Sequence, residues 1–556
     1  MASHNSRVLL LGLDGATFDL LLPLIEQGKL PCLKKILSLS AYGTLNSTIP
    51  CTTPVAWSSV FTGKNPGKHG IFDFWESYHF DQHRPLISLK SLKATPFWRI
   101  LNSNDKVTIL FNVPLTYPPE PLNGAMISGM MTPSEESCFT YPSELKDDLL
   151  SKFPDYKVNI DIPQFDTEYY EDCIGFLRAV EKSFKVRCDV LLYIMKNNRW
   201  DLLFAVFVLP DRIQHLLWKY IDPNDSRFRE DEKGRYIYDY ALRLFQMLDD
   251  MICILQGKLK ESDYLFIISD HGFGGTEAYI NVNTLLQNWD YLKFKKTILG
   301  KKAFFRLWQF GDSRFAKGVI PARVQRSIRA KIKRKRSSFN SELEGIIDYG
   351  KTKAFFASIA SQGIYINRRN SLAEPSENSK EYRCLRDNIR NNLKSLKLDR
   401  DGKALFDSIL YPEEIYKGPY VKQAPDIILT ARNYSYLGRQ HIGAPGIISD
   451  FSGKPNGFHR PNGIFIAYGP GITHNLRFDS ANLKDIAPTV LYLNSCPIPA
   501  DIDGKVLSGI FTENFLKDHS IKLGINIDPE DDCKGVFTAD ESEEIQKRLK
   551  GLGYIE

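Results

Sequence analysis

Residues 9–15 read LLLGLDG. An apolar run with no polar face, halted by Asp14 and Gly15, reads as a strand buried on both sides. The same pattern returns at FAVFVLPD (204–211), which ends on Asp211, and at LFIISDHG (265–272), which runs into Asp270. Five buried strands are expected: Val8–Leu13, Val107–Val113, Leu202–Leu209, Tyr264–Ser269 and Gly463–Tyr468. Helical stretches such as Phe18–Gln27, Leu33–Leu39 and Ile237–Lys258 fall between them. Alternating strands and helices predict an α/β fold, a mostly parallel sheet sandwiched by helices.

Open sheets of this kind bind ligands beyond the carboxyl ends of their strands. Asp14, Asp211 and Asp270 would meet at that edge, where their mutual repulsion calls for cations. Two of the acids come with histidines. Asp211 and His215, in PDRIQHLLW, are four apart and share a helix face; His271 follows Asp270 directly. His459, in GFHRPNGIFIAYGPGI, stands on a loop before the last strand. A lone buried histidine is more often structural, but oxygen and nitrogen ligands together suit zinc or another first-row divalent ion.

Residues 48–63, TIPCTTPVAWSSVFTG, add a hydroxyl. Proline is favoured at the first helical position, so Thr53 is expected as N-cap, Pro54 at N1, Val55–Phe61 as the helix body and Gly63 as its close. The free amides and dipole of such a helix start also favour an anion.

These pieces carry a resemblance. GLDG, then Thr53-Pro54 with Thr62-Gly63 behind it, NPGKHGI, DRxxH, SDHG and a late GxH occur in that order. The chain thereby resembles the alkaline phosphatase superfamily over about residues 7–510, in its type I phosphodiesterase/nucleotide pyrophosphatase-like branch. Within that branch it is similar to a group of predicted phosphohydrolases or phosphomutases with TPxAWSS, NPGKHGIFDF and a C-terminal LGY. The resemblance implies an alkaline-phosphatase-like core and two divalent ions, zinc foremost, with Mn or Mg as alternatives. It implies that Asp14, Thr53, Asp270 and His271 hold one ion, and Asp211, His215 and His459 the other. Thr53 would be the nucleophile of a phosphodiesterase or phosphomonoesterase, passing through a phosphothreonine. A phosphomutase or phosphotransferase on the same site, and an inactive membrane-peripheral binding protein, are the rival readings.

One position departs from the family. Its nucleotide pyrophosphatases carry an asparagine three residues after the nucleophile, where this chain has Ala56. Asn112 (in FNVPLTYPP), Arg212 and Arg460 are candidates to contact the substrate phosphoryl group instead. The C-x-P-x-R stretch of sulfatases is missing, because Cys51 is followed by Thr-Thr-Pro. His69, His79 and His441 are further histidines able to replace an assigned ligand.

The 556 residues exceed one simple core. Residues 1–289 read as the first part of the core, 290–345 as a basic helical insertion, 346–510 as the second part with a polar excursion near 370–425, and 511–556 as a tail. The tail's helix, TADESEEIQKRLKGLGY, has Thr538 and Glu541 as a capping box and Gly551 as its expected C-cap. The net charge of +6 has a local source, since residues 293–336 hold 16 Lys and Arg against one acid, Asp312. There Val324, Ile328 and Ile332 recur every fourth residue among cations, the pattern of an amphipathic helix suited to an anionic membrane surface or a substrate lid. No nucleic-acid motif is present, and the oligomeric state is left open. Nine cysteines without a CxxC pair fit free thiols in a reducing cytoplasm. No apolar run reaches membrane-spanning length, and VLLLGL reads as a strand rather than a signal peptide.

Overall fold

The computed structural model describes residues 6–76, 84–160, 162, 164–295, 347–368, 379–398, 402–441, 444, 446–450, 456–526 and 536–555. Its centre is a 10-stranded sheet. In chain order the first strands are β1 (Val8–Leu13), β2 (Ala41–Asn46), β3 (Thr108–Val113), β4 (Gly124–Ser128), β5 (Thr140–Tyr141), β6 (Leu202–Phe207) and β7 (Tyr264–Ile268). Across the sheet the order is Leu476–Arg477, β2, Asn462–Tyr468, β7, β1, β6, β3, β4, β5, and the tenth strand, Ala481–Asn482, pairs with β2 off this path. The middle is parallel: β1 lies between β6 and β7, and β3 joins β6 to β4. Asn462–Tyr468 runs antiparallel to both β2 and β7.

The expected strands are all present, most of them shortened by a residue or two. The reason is visible at β6, where the apolar run continues past Phe207 but Leu209 already starts the helix Leu209–Ile221. Apolarity alone cannot mark that turn. Every residue of β1, β6 and β7 is buried, as a parallel strand covered on both faces requires. Each large aliphatic side chain so buried contributes about 1.5–3 kcal/mol. Among the described residues no helix is long and apolar enough to cross a membrane.

Helices flank the sheet in two sets. Thr53–Thr62, Phe97–Asn102 and Ile486–Leu493 pack on one another, as do Pro31–Ser38, Tyr170–Asn197, Leu209–Ile221 and Glu232–Gly257. Gly12 lets one of them approach β1: a Cβ there would stand 2.4 Å from the Trp57 ring. Trp57 is thereby laid against the strand that carries Asp14.

A second core gathers Ile280, Val282, Phe356, Ile364, Ile389 and Ile427. Around it lie a four-stranded sheet, Ala354–Phe356, Gly363–Ile366, Ile427–Thr430 and Ser408–Leu410, and the helix Lys380–Lys394. This unit is wider than the 370–425 excursion read from polarity, because its short strands are as apolar as those of the main sheet. Residues 296–346, most of the basic insertion, lie outside the described residues. The C-terminal helix Ala539–Leu552 has the expected capping box of Thr538 and Glu541. Its end falls at Gly553 rather than Gly551, and Gly553 takes the left-handed conformation at φ 81°.

Candidate active site

Thr53 opens the helix Thr53–Thr62, which closes at Gly63. The cap position falls one residue earlier than expected. Thr52 is the extended N-cap, and its side chain makes no capping hydrogen bond. Proline is tolerated throughout the first turn, so the helix starts before Pro54 rather than with it. The consequence is chemical: the Thr53 hydroxyl is not engaged as a cap. It lies 3.4 Å from His271 Nε2 and 3.5 Å from the Tyr554 phenol oxygen, fully buried.

The parallel register brings the acids together. Leu13 pairs with Phe207 and Gly12 with Ile268, so Asp14, Asp211 and Asp270 all follow at one edge. Trp57 Nε1 donates to Asp14 Oδ2 at 3.0 Å, and the Gly15 amide to Asp270 Oδ1 at 3.3 Å. Asp211, in the first turn of Leu209–Ile221, accepts from Arg212 Nη1 at 2.7 Å. Its Oδ1 lies 3.2 Å from His215 Nε2 and 3.6 Å from His459 Nε2. His271 Nε2 is 3.3 Å from Asp270 Oδ2 and 3.7 Å from Asp14 Oδ1. The seven residues read as nucleophile and ligands therefore form one cluster.

Each histidine gives Nδ1 to a backbone carbonyl: His215 to Gly457 at 3.2 Å, His271 to Gly272 at 3.0 Å, His459 to Cys51 at 2.9 Å. A carbonyl can only accept, so the proton sits on Nδ1 and each Nε2 turns a lone pair to the centre. His215 and His459 then face each other, Nε2 to Nε2, at 3.0 Å. Two lone pairs at that distance repel unless a cation lies between or beside them. Asp14 Oδ1 and Asp270 Oδ2 are buried without any hydrogen-bond partner. Burial, followed by the Asp211 charge, raises the Asp14 carboxyl to about 8. Burial and Asp14 push Asp270 well above the carboxylate range. Burial holds His459 down at about 4 and, with His459 beside it, keeps His271 well below its ordinary value. Neutral imidazoles and crowded, unsatisfied carboxylates are the donor set that divalent ions complete. Ligand atoms of Asp211, His271 and His459 lie within 4.8 Å of one another, as do those of Asp14, Asp270 and His271. The residues present fit a metal centre.

The other expected contacts divide. Arg212 borders the centre through Asp211 and lines a small cavity with Met130, Met131, Asn159 and Arg548. Asn112 sits at the carboxyl end of β3 with φ 53°; its Oδ1 accepts from Tyr156 at 2.6 Å, while its buried Nδ2 has no partner. Arg460 donates to the carbonyl oxygens of Tyr434, Gly275 and His459, so its guanidinium is held by backbone. His69 bonds Ser59 at 3.0 Å, and His79 lies outside the described residues. Tyr554, absent from the expected set, donates to both Asp211 oxygens at 3.0 Å. Its signal in the sequence was the LGY ending, which carries no chemistry until the fold brings it back across the molecule.

Comparison with known proteins bears on the family and the fold. The family model of type I phosphodiesterase / nucleotide pyrophosphatase matches residues 8–447. A search of curated proteins gives no significant match. Among solved structures, the chain is similar to phosphonoacetate hydrolase from Sinorhizobium meliloti 1021 in complex with phosphonoformate, with 14% identity, TM-score 0.51 and coverage of 88% of this chain and 96% of that one. Human ectonucleotide pyrophosphatase / phosphodiesterase 5 aligns with 15% identity, TM-score 0.49 and coverage of 91% and 100%. At such identity the phosphonoacetate hydrolase structure shows a likeness of fold alone, a mixed α/β fold with a large, mostly parallel central sheet flanked by helices. The match over most of the chain decides the rest: the protein belongs to the type I phosphodiesterase / nucleotide pyrophosphatase family and is a metal-dependent phosphoric ester hydrolase.

Proposed function

We propose that the chain hydrolyses phosphate mono- or diesters through Thr53, with two divalent ions, zinc foremost, held by Asp14, Thr53, Asp270 and His271 on one side and by Asp211, His215 and His459 on the other. The observation that carries this reading is the Thr53 hydroxyl, unused as a cap and 3.4 Å from His271 Nε2, beside carboxylate oxygens with no partner. Divalent ions bound there would acidify the hydroxyl and stabilise both the attacking and the leaving oxygen of an in-line displacement.

The chain's own residues do the rest. Thr53 Oγ1 gives up its proton to solvent and forms a bond to phosphorus while the ester oxygen leaves with its bonding pair and takes a proton from solvent, giving phosphothreonine and the free alcohol. Water then takes the phosphoryl group and frees Thr53. The carbonyls of Gly457, Gly272 and Cys51 fix the imidazoles, and Arg212 brings a cation to the cavity side for the phosphoryl oxygens. Eight described cysteines, none of them in a disulfide, support a reducing, cytoplasmic setting. The charge of residues 293–336 supports docking on anionic membrane, tested by deleting them and measuring vesicle binding.

The purified protein, assayed with chromogenic mono- and diesters under zinc, manganese and magnesium, should release alcohol and inorganic phosphate from a monoester and alcohol and a phosphate monoester from a diester, and a quenched monoester reaction should yield phosphothreonine at residue 53. Product isomers or phosphoryl transfer without free phosphate would replace hydrolysis by a mutase or transferase.

A further inference from the structure

Tyr554 is the group at this centre to which the nucleophile-and-metal reading gives no task. The helix Ala539–Leu552 ends in left-handed Gly553, and the Tyr554 amide returns to the Leu549 carbonyl at 3.0 Å. That Schellman-type turn directs the ring inward. The phenol oxygen lies 3.0 Å from each Asp211 oxygen and 3.5 Å from Thr53 Oγ1, with the side chain fully buried. Phe74 covers the ring at 5.0 Å between centroids, and His215 meets it edge-on at 5.0 Å.

The segment is anchored as a permanent wall. Phe537 stacks on Tyr117 at 5.6 Å. The Arg548 guanidinium donates to the Pro133 carbonyl at 2.6 Å and the Thr132 carbonyl at 2.7 Å. Ile545, Leu549, Leu552 and Ile555 are buried in the main core. A phenylalanine at 554 would fill the same space against Phe74 and His215, so the hydroxyl is the part that needs a reason. Burying it is costly without a partner, and the partners it finds are a proposed ligand and the proposed nucleophile.

We propose that Tyr554 is a catalytic residue. Its O–H turns about the C–O bond and donates to a non-bridging oxygen of the phosphoryl group under attack by Thr53. It supplies the side-chain donor for which Ala56 has none. The proposal rests on the phosphohydrolase reading above. As the Thr53–phosphorus bond forms and the ester oxygen departs with its electron pair, Tyr554 keeps its proton. Its hydrogen bond strengthens as charge gathers on the equatorial oxygens, the kind of preorganised donor that raises kcat.

The test is Tyr554→Phe in the full chain, assayed on 4-nitrophenyl phosphate and its bis(4-nitrophenyl) diester. Loss of one such donor should lower kcat about 10²-fold, with KM, thermal midpoint and metal content close to wild type. Inhibition by orthovanadate, a mimic of five-coordinate phosphorus, should weaken in step, and inhibition by inorganic phosphate should not. An unchanged kcat, with vanadate affinity also unchanged, would overturn the proposal and leave Tyr554 as packing. A higher kcat in Tyr554→Phe or Tyr554→Ala would also overturn it, making the segment a plug. Wild-type protein that cleaves neither ester under any of the three metals would remove the hydrolase reading, and the role of Tyr554 with it. Wild-type turnover matched by Tyr554→Phe would remove the role of Tyr554 alone.

Discussion

Two buried acids show what separates architecture from chemistry here. Asp426, in the second unit, accepts hydrogen bonds from the Ile366 amide, the Tyr382 hydroxyl and Arg368. Its charge faces a guanidinium. Asp270, at the edge of the main sheet, receives one long bond from the Gly15 amide, keeps Oδ2 without a partner and faces two further carboxylates. Burial of a charge is tolerable when it is paired and hydrogen-bonded. Asp426 meets that condition within the protein. Asp270 and Asp14 meet it once cations are supplied, and a group kept in such a state marks a working site.

The contrast can be broken in four ways, beginning with the largest effect. Thr53→Ala should lower turnover by about 10³-fold or more while the thermal midpoint and most of the metal content hold; full activity would move the nucleophile to Thr52. Asp270→Asn should reduce metal bound per chain, read by elemental analysis, and yet raise the melting temperature of the metal-free protein, because like-charge repulsion is relieved. If the metal-free variant melts lower, the crowding argument fails. Asp426→Asn should do the reverse, costing about 2–3 kcal/mol in denaturant unfolding and leaving kcat in place. A drop in kcat alongside intact stability would bring that acid into the site's business.

The smallest effect is in pH. Asp14 has a folded value of about 8 against 3.8 for the ordinary carboxyl, so the folded state holds a proton that the unfolded state has released. Stability of the metal-free protein should therefore fall as pH rises toward 8. His459, lowered from 6.5 to about 4, acts oppositely: its contribution is lost as pH falls below 6.5. The window between 6.5 and 8 leaves the raised carboxyls, Asp14 together with Asp270, to set the trend at this centre. Metal-free melting temperature should decline across it, and added zinc or manganese should flatten that decline. A rising midpoint in that window would contradict the geometry of the acids.

Much of this was legible along the chain because it is written in local signals. A buried parallel strand needs an unbroken apolar run, and VLLLGL, LLFAVF and YLFII have no other use for one. The i, i+4 pair Asp211 and His215 declares a shared helix face. Thr538 and Glu541 formed their capping box where the spacing put it. The misreadings were also local. A turn inside VFVLPD, and a cap displaced from Thr53 to Thr52, depend on backbone geometry that side-chain pattern does not encode. The excursion read at 370–425 was polar because helix Lys380–Lys394 buries only Tyr382, Ile389 and Leu393, whereas Phe356 and Ile427 of the same core fall outside that stretch.

By itself, then, the sequence determined that this is an α/β chain with acids at strand ends, imidazoles near them and a threonine at a helix start. Each of those facts is settled by neighbours within a few residues. Tertiary structure alone decided that His215 and His459 would face each other at 3.0 Å, that Asp270 Oδ2 would find no donor, and that Tyr554 would reach Asp211 across 343 positions of sequence. Such contacts follow from the sheet's order and register, which depend on every strand packing at once. No short window of residues contains that information.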